Sequence, residues 1–269
     1  MIFIGIDLAW SERNGSGIAV LKGNKKEAKF FSADIFLSDN EILNHVKEQA
    51  KDEQVFIAID APLIVPNEQG RRVAEKLVGM LFRKYNAGAH PANRKRLSQW
   101  GGKIRGEEIS KRLEAIGITH SPYIKKYENT KKFFEVYPHP SMVVLFNLNK
   151  ILQYKSKPNR DHAFLVSMFK KYQDYLGNLK IGNPKLKIPK EVLTVDTEKL
   201  KGKHLKSYED KLDAIFCAYI AYYSWCCPDK CAVLGSMEEG YILTPIFEGM
   251  KQQLKEISSQ LSLEEFNKT

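Results

Sequence analysis

Short apolar runs separated by polar turns fill the opening part of the chain. Residues 2–6 form a run typical of a strand covered on both faces, and residues 17–21 fit its hairpin partner across the turn signal Asn14-Gly15. Residues 28–35 fit a third strand. A capped helix and a buried strand at residues 55–59 follow. The pattern predicts the order β-β-β-α-β.

The rest of the chain has a mainly helical pattern, with a fifth strand at residues 132–137. Residues 180–206 contain two prolines and are interpreted as a connector with little regular structure. Residues 241–244 form another apolar run, and a polar helix follows it. Apolar positions at helical spacing predict five further helices, at residues 68–85, 107–116, 141–148, 161–176 and 207–225.

Composition bounds the class of protein. The chain has 269 residues, of which 43% are hydrophobic and 11% aromatic, and this is enough for a real core. No apolar run approaches the ~18 to 20 residues of a membrane span, and Met1 leads into a strand rather than a signal peptide. We expect a single cytoplasmic domain over residues 1–269 with no membrane partner. The oligomeric state is left open.

Positive charge is concentrated in two long segments. The net charge is +10, and residues 61–131 carry 15 basic and 6 acidic residues, while residues 149–206 carry 14 and 5. The first segment is interpreted as a basic helical insertion and the second as a basic segment of helix and loop. A charge run is often only a solvated face, but two such segments beside an acidic remainder favour a polyanion track. The expected partner is nucleic acid, either DNA or RNA.

Acidic residues stand at the ends of the predicted elements. Asp7 follows the first strand, Asp60 follows the fourth, Glu135 lies in the fifth, and Asp213 lies on the small-residue face of the helix at residues 207–225. If the three strands are parallel, their carboxyl ends meet at one edge of the sheet. A buried carboxylate is costly unless it is paired, and one hard cation can be shared by several. The placement predicts a divalent-metal centre.

Each acid also has a structural explanation. Asp7 and Asp60 could bond the backbone at a strand end, and Glu135 could pair with Lys132 or Arg72. A structural explanation is plausible for one acid at the end of an element, but a coincidence of four such acids is less plausible.

Asp210 is a further candidate, because it shares a helix face with Asp213. Ser207 with an acid three residues later also resembles a capping box, which would give Asp210 a structural role. Asp213 is harder to explain by a structural role, because an unpaired carboxylate on the packing face of the helix would be costly.

An ordered set of sequence blocks resembles a known family. The set resembles the domain-of-unknown-function 429 (DUF429) family, regarded as predicted nucleases with a ribonuclease H-like fold, over nearly the whole chain. The blocks are Gly5-Ile-Asp7-Leu-Ala-Trp10, Ile59-Asp60-Ala-Pro62, Arg71-Arg72-x-x-Glu75, Ala89-His-Pro-Ala-Asn-Arg94, Phe134-Glu135-Val-Tyr-Pro138, Asp210-x-x-Asp213-Ala214 and Gly240-Tyr-Ile-Leu-Thr-Pro245.

The resemblance implies an α/β fold with a mixed five-stranded sheet of order 3-2-1-4-5, in which strand 2 is antiparallel and helices flank the sheet. It also implies a carboxylate centre of Asp7, Asp60 and Asp213. Glu135 is a motif position of the narrower family. Fold alone does not establish function.

The expected function is metal-dependent hydrolysis of phosphodiester bonds by two Mg²⁺ or Mn²⁺ ions. Asp7 would bridge the ions, and Asp60 and Asp213 would each complete one coordination shell. Glu135 or Asp210 would hold or orient the attacking water.

A second group of residues is expected to contact the substrate. Arginine and lysine side chains would grip phosphates, Trp100 would stack on a base, and two histidines next to prolines would act as proton shuttles. The group comprises Arg71, Arg72, Glu75, His90, Arg94, Lys95, Trp100 and His139.

Two other functions remain open at this stage. Actin-like ATPases and sugar kinases also begin with a Gly-x-Asp strand and a hairpin that cradles phosphate, but here residues 11–16 contain one glycine and the acidic Glu12. The other alternative is a non-catalytic nucleic-acid-binding protein. Metal binding would separate it from a nuclease.

Overall fold

A seven-stranded mixed sheet forms the centre of the protein. The computed structural model describes residues 1–100 and 102–266, without the side chains at positions 100 and 258–266. The strands are β1 (Ile2–Asp7), β2 (Ser16–Gly23), β3 (Glu27–Phe36), β4 (Val55–Asp60), β5 (Thr119–His120), β6 (Lys132–Glu135) and β7 (Lys185–Lys187). Their spatial order is β5-β6-β4-β1-β2-β3-β7.

The strands combine antiparallel and parallel pairing. β2 is antiparallel to both β1 and β3, whereas β1, β4, β6 and β5 run parallel to one another and β7 runs parallel to β3. The five strands expected from the sequence are neighbours, in the order β3-β2-β1-β4-β6. The expectation of only five strands is wrong. β5 and β7 have 2 and 3 residues, too few for a periodic pattern.

A separate antiparallel hairpin is formed by β8 (Cys231–Ser236) and β9 (Gly240–Pro245).

Helices cover both faces of the seven-stranded sheet. No helix in the described part of the chain is long and apolar enough to cross a membrane. The helices are α1 (Asp39–Ala50), α2 (Val73–Phe82), α3 (Arg94–Leu97), α4 (Arg105–Ala115), α5 (Pro138–Leu145), α6 (His162–Asn178), α7 (Lys190–Leu193), α8 (Gly202–Cys226) and α9 (Glu248–Phe266).

The long helix α8 begins earlier than the sequence predicted. Its first residue is Gly202, so Ser207 lies inside the helix and is not its cap. The capping box suggested for Ser207 and Asp210 is therefore wrong. The segment at residues 180–206, expected to be irregular, contains β7, α7 and the start of α8.

Alternation along the strands gives the sheet two different faces. Phe3 belongs to the apolar cluster that includes α8, whereas Ile4 and Ile6 belong to the cluster that includes α1 and α4. Because successive side chains point to opposite faces, Asp7 lies on the same face as Phe3. The strand therefore directs its terminal carboxylate toward α8.

Glycines let the backbone of α8 lie directly against β1 and β2. A Cβ at Gly5 would overlap the carbonyl of Ala214 and the amide nitrogen of Ala218, and one at Gly17 would overlap the carbonyl of Asp210. This close approach fixes the height of α8 above the ends of the strands.

We expect Gly5→Ala to lower the free energy of unfolding by about 3 kcal/mol, because the new methyl group forces α8 away from β1. Urea unfolding measures this change. Gly79→Ala is the matched control, since nothing lies within 4 Å of a Cβ there and alanine favours a helix by about 1 kcal/mol. Equal stability of the two variants would contradict the close packing.

Candidate functional site

Asp7 and Asp60 lie side by side at the carboxyl ends of two parallel strands. The register of β1 and β4 pairs Asp7 with Asp60. Neighbouring strands are ~4.8 Å apart. Phe56 and Ala58 of β4 belong to the α8 side of the sheet, and alternation places Asp60 on that side as well. The strands themselves therefore hold the two carboxylates together.

Asp213 of α8 faces the same place from above the sheet. It is fully buried, and its neighbour Ala214 lies against β1. The hydroxyl groups of Tyr154 and Tyr172 donate hydrogen bonds to its Oδ1 at 2.6 and 3.2 Å. Its Oδ2 receives no hydrogen bond from the described residues. Asp7, Asp60 and Asp213 are called the carboxylate centre below.

The members of the carboxylate centre repel one another. Burial raises the pKa of Asp7 well above its ordinary value, Lys155 opposes the rise, and Asp213 and Asp60 add to it. Burial likewise raises the pKa of Asp60 to about 7, with Lys155 opposing and Asp213 adding. Like charges that are partly desolvated resist common ionisation. Ionising all three carboxylates together is therefore unfavourable without a counter-charge.

Lys155 brings positive charge into this centre. Its Nζ lies 2.9 Å from Asp213 Oδ2, as an ion pair without hydrogen-bond geometry. Burial disfavours the ammonium charge, but Asp213, Asp7 and Asp60 outweigh burial and raise the pKa of Lys155 well above its ordinary value. Sequence reasoning missed Lys155, because it lies in the segment between α5 and α6 and no local pattern marks its return to α8.

Glu135 lies on the opposite face of the sheet from Asp7 and Asp60. Phe134 belongs to the apolar cluster on the α8 side, whereas Phe133 belongs to the cluster on the other side. Alternation therefore turns Glu135 away from the carboxylate centre. Its expected role in holding a catalytic water conflicts with this placement.

Arg72 donates hydrogen bonds to both carboxylate oxygens of Glu135, and all of its own N–H groups are engaged. Its Nη1 donates to Glu135 Oε2 at 3.0 Å and to the Ile64 carbonyl at 2.7 Å, and its Nη2 donates to Glu135 Oε1 at 2.5 Å. Its Nε and Nη2 donate to Glu75 Oε1 at 2.8 and 2.6 Å. A guanidinium has five N–H donors, so none remains for a phosphate. Arg72 and Glu75, which the sequence predicted to contact the substrate, are both buried in this network.

Asp210 lies one helical turn before Asp213 and is close to the centre, because its charge adds to the raised pKa of Asp7. Lys206 Nζ lies 2.5 Å from Asp210 Oδ1 and 2.7 Å from Glu209 Oε1. Asp210 thus has a positive partner on its own helix. We assign it a supporting place at the edge of the centre.

The other basic residues predicted to grip phosphates differ in their availability. Arg71 and Lys95 are exposed. Arg94 is 40% exposed and pairs with Glu107 at 3.1 Å. The side chain of Trp100 lies outside the described part of the chain.

His90 marks a positively charged surface. It is exposed. Partial desolvation of its ring and the charges of Arg96, Lys157 and Arg71 lower its pKa. Charged residues of both basic segments therefore act on His90.

His139 is a poor candidate for the proton shuttle predicted from the sequence. Burial and the charge of Lys155 lower its pKa to about 3, whereas a shuttle needs a pKa near neutral pH. Its ring stacks on Tyr154, with ring centres 6.4 Å apart. His139 is therefore an uncharged neighbour of the centre.

Trp10 is an exposed aromatic residue that sequence reasoning did not select as a site residue. It follows Asp7 closely in the chain and is 48% exposed. The guanidinium carbon of Arg96 lies 5.3 Å from its ring centre. The sequence signal that could have identified Trp10 is its place in a polar loop that follows a strand-end acid.

The carboxylate centre fits a divalent cation in its donor chemistry. Carboxylate oxygens are the ligands that Mg²⁺ and Mn²⁺ prefer, and Asp213 Oδ2 is a buried oxygen without a hydrogen-bond donor. In the described residues, however, no group of three or more His, Cys, Asp or Glu side chains is arranged to hold a metal ion. The side chains as placed hold the Lys155 ammonium instead.

The protein is thus a mixed α/β protein with a carboxylate centre at the ends of adjacent parallel strands. A family model described as "Protein of unknown function (DUF429)" matches residues 5–239. The match spans most of the chain, so the protein belongs to the DUF429 family, which confirms the resemblance seen in its motifs. No curated protein matches the chain.

We expect Asp60→Asn to stabilise the protein at pH 8 when no divalent cation is present. The pKa of Asp60 is about 7 in the folded state against an ordinary 3.8, so between these values the folded state keeps a proton that the unfolded state loses. Wild-type stability should therefore fall as pH rises through this window and then level off. Asparagine removes this cost, which we place at roughly 2 kcal/mol after screening.

Thermal unfolding in EDTA across a pH series measures the effect. The melting temperature of Asp60→Asn should rise relative to wild type as pH increases through the window. Asp34→Asn is the control, because its side chain is 58% exposed on β3. A pH-independent difference between Asp60→Asn and wild type would contradict the raised pKa.

Proposed function

We propose that this protein is a cytoplasmic metal-dependent nuclease, which hydrolyses phosphodiester bonds of nucleic acid and has a ribonuclease H-like arrangement of its central strands. The observation that carries the proposal is the pairing of Asp7 with Asp60 at the ends of two parallel strands, with Asp213 on the helix that packs against these strands. The order β3-β2-β1-β4-β6 with an antiparallel β2 supports the arrangement. The four free cysteines are in keeping with a reducing compartment.

The cofactor of this proposal is Mg²⁺ or Mn²⁺, with two ions expected at Asp7, Asp60 and Asp213. When bound, such ions activate a water molecule and stabilise the leaving oxygen of the phosphodiester. Tyr154 and Tyr172 hold Asp213 Oδ1 by hydrogen bonds and leave its Oδ2 to the Lys155 ammonium. The tyrosines therefore orient the helix-borne carboxylate.

A polyanionic substrate is supported by the charge beside the centre. Arg71, Arg96 and Lys157 all act on His90, and Lys157 and His90 also act on His139. His139 in turn adjoins the carboxylate centre through Lys155 and Asp213. We infer that these residues form a positive surface beside the acidic centre. Phosphate groups of nucleic acid are attracted to such a surface.

Trp10 supports a substrate with unpaired bases. Its exposed ring lies beside Arg96 on the positive surface. Exposed aromatic rings near a basic groove are typical of single-strand binding, because any base can stack on them. We propose that Trp10 stacks on a base next to the cleaved phosphate.

A non-catalytic nucleic-acid-binding protein is the second candidate. The observation that favours it is the ion pair of Lys155 with Asp213, which already supplies the centre with a positive charge. Such a protein would bind nucleic acid with the same affinity in EDTA and would not cleave it.

We expect Mn²⁺- or Mg²⁺-dependent cleavage of single-stranded DNA or RNA, and loss of more than about a hundredfold in rate on Asp7→Asn. The expected loss exceeds that seen for residues that only support metal ligands. Labelled oligonucleotides in a panel of single strands, duplexes and branched forms provide the assay. Asp34→Asn should cleave like wild type. Metal-independent cleavage, or full activity of Asp7→Asn, would refute the nuclease assignment.

We expect Trp10→Ala to weaken the binding of single-stranded oligonucleotides about 5- to 100-fold, because one stacked base contributes about 1–3 kcal/mol. Fluorescence anisotropy in EDTA measures binding without cleavage. Trp10→Phe keeps an aromatic face and should retain most of the affinity. Phe31→Ala is the matched control, since Phe31 is 51% exposed and carries Lys22 at 3.5 Å from its ring centre. Equal losses for Trp10→Ala and Phe31→Ala would exclude a stacking site.

A further inference from the structure

The segment between α5 and α6 delivers Tyr154 and Lys155 to the carboxylate centre. Tyr154 is fully buried, and its hydroxyl donates to Asp213 Oδ1 at 2.6 Å. The Lys155 carbonyl accepts a hydrogen bond from Arg160 Nη1 at 2.7 Å, and Arg160 Nη2 donates to Gln153 Oε1 at 3.1 Å. The backbone around Lys155 is therefore held in place on both sides.

The side chain of Lys155 differs from its backbone in that it can move. It is 31% exposed, whereas the Asp213 carboxylate that it faces has no exposed surface. A lysine side chain has a flexible stem of four carbons and an ammonium group that is strongly hydrated. Lys155 can therefore reach water without any change in the fold.

The ammonium of Lys155 lies at a position that favours a positive charge. It lies 2.9 Å from Asp213 Oδ2, the buried oxygen without a hydrogen-bond donor. It is also the group that most strongly opposes the charge repulsion on Asp7 and Asp60. A cation bound by these three carboxylates would face the ammonium at short range, and two positive charges so placed repel each other.

We infer that Lys155 is an internal competitor of the divalent cation: its ammonium occupies the charge position of the carboxylate centre and leaves Asp213 when the cation binds. This inference rests on the proposed function, because it concerns the same three carboxylates. It assigns to Lys155 the task of setting the affinity for the cation and of keeping the buried carboxylates compensated when no cation is bound.

The test is the affinity for Mn²⁺ in the absence of nucleic acid, measured by titration calorimetry or by the electron paramagnetic resonance of free Mn²⁺. Lys155→Met keeps the length of the side chain and removes its charge. We expect Mn²⁺ to bind Lys155→Met at least about tenfold more tightly than wild type, because a positive charge next to the site is gone. Unchanged or weaker binding overturns the inference.

Lys132→Met is the matched control. Lys132 pairs with Glu128 at 2.8 Å, and its side chain is 15% exposed. It lies at the start of β6, at the opposite end of the strand from its carboxyl end. Its loss should leave the Mn²⁺ affinity unchanged. An equal gain in Lys132→Met would show a general effect of net charge and overturn the inference.

A second measurement follows the folded state itself. Without Mn²⁺, Lys155→Met should melt at a lower temperature than wild type, because the carboxylates lose their counter-charge. Saturating Mn²⁺ should raise its melting temperature by more than it raises that of wild type, in accordance with tighter binding. Equal shifts in the two proteins contradict competition.

Asp60→Asn separates failure of this inference from failure of the proposed function. In one outcome wild type binds Mn²⁺, Asp60→Asn does not bind it, and Lys155→Met binds it no more tightly than wild type. The competition is then refuted and the metal centre stands. If only Lys155→Met binds Mn²⁺, the competition is supported in its strongest form. If neither binds Mn²⁺, both the inference and the metal-dependent function fall.

Discussion

The contact of α8 with the backbone of β1 is the constraint on which the site depends. Gly5 and Gly17 leave room for the helix to lie against the strands, and a side chain at either position would overlap its backbone. This approach brings Asp213 down to the level of Asp7 and Asp60. The same packing that completes the core thus gathers like charges at one end of the sheet, and function here depends on a close contact between backbones.

Two acidic groupings in the described part of the chain are compensated very differently. Glu75 and Glu135 are buried, whereas Asp7 and Asp60 are half-buried beside the buried Asp213. On one side of the sheet Arg72 donates all of its N–H groups, to Glu75, Glu135 and a carbonyl, which makes a closed network. On the other side the carboxylate centre has one partly exposed lysine and a raised pKa at Asp60. The first grouping has the character of a structural support. In the second grouping the negative charges are only partly compensated, and a divalent cation could supply the missing positive charge, as expected of a functional site.

Much of the fold could be predicted from the sequence, because long apolar runs and helical spacing identify the major strands and helices. β5 and β7 were missed because 2 and 3 residues carry no period. For the site, strand ends indicated Asp7 and Asp60, and a helix face indicated Asp213. The side of the sheet on which Glu135 lies depends on whether its position in β6 is odd or even, and the sequence pattern did not settle this. Lys155 could not be predicted, since only tertiary packing returns its segment to α8.

The central claim is that Asp7, Asp60 and Asp213 bind a divalent cation in place of the Lys155 ammonium. A crystal soaked in Mn²⁺ tests it most directly through the anomalous scattering of manganese. We expect an anomalous peak within about 2 Å of oxygen atoms from the three carboxylates, with the ammonium moved away from Asp213. A centre without a peak at saturating Mn²⁺, in which Lys155 still pairs with Asp213, would contradict the account.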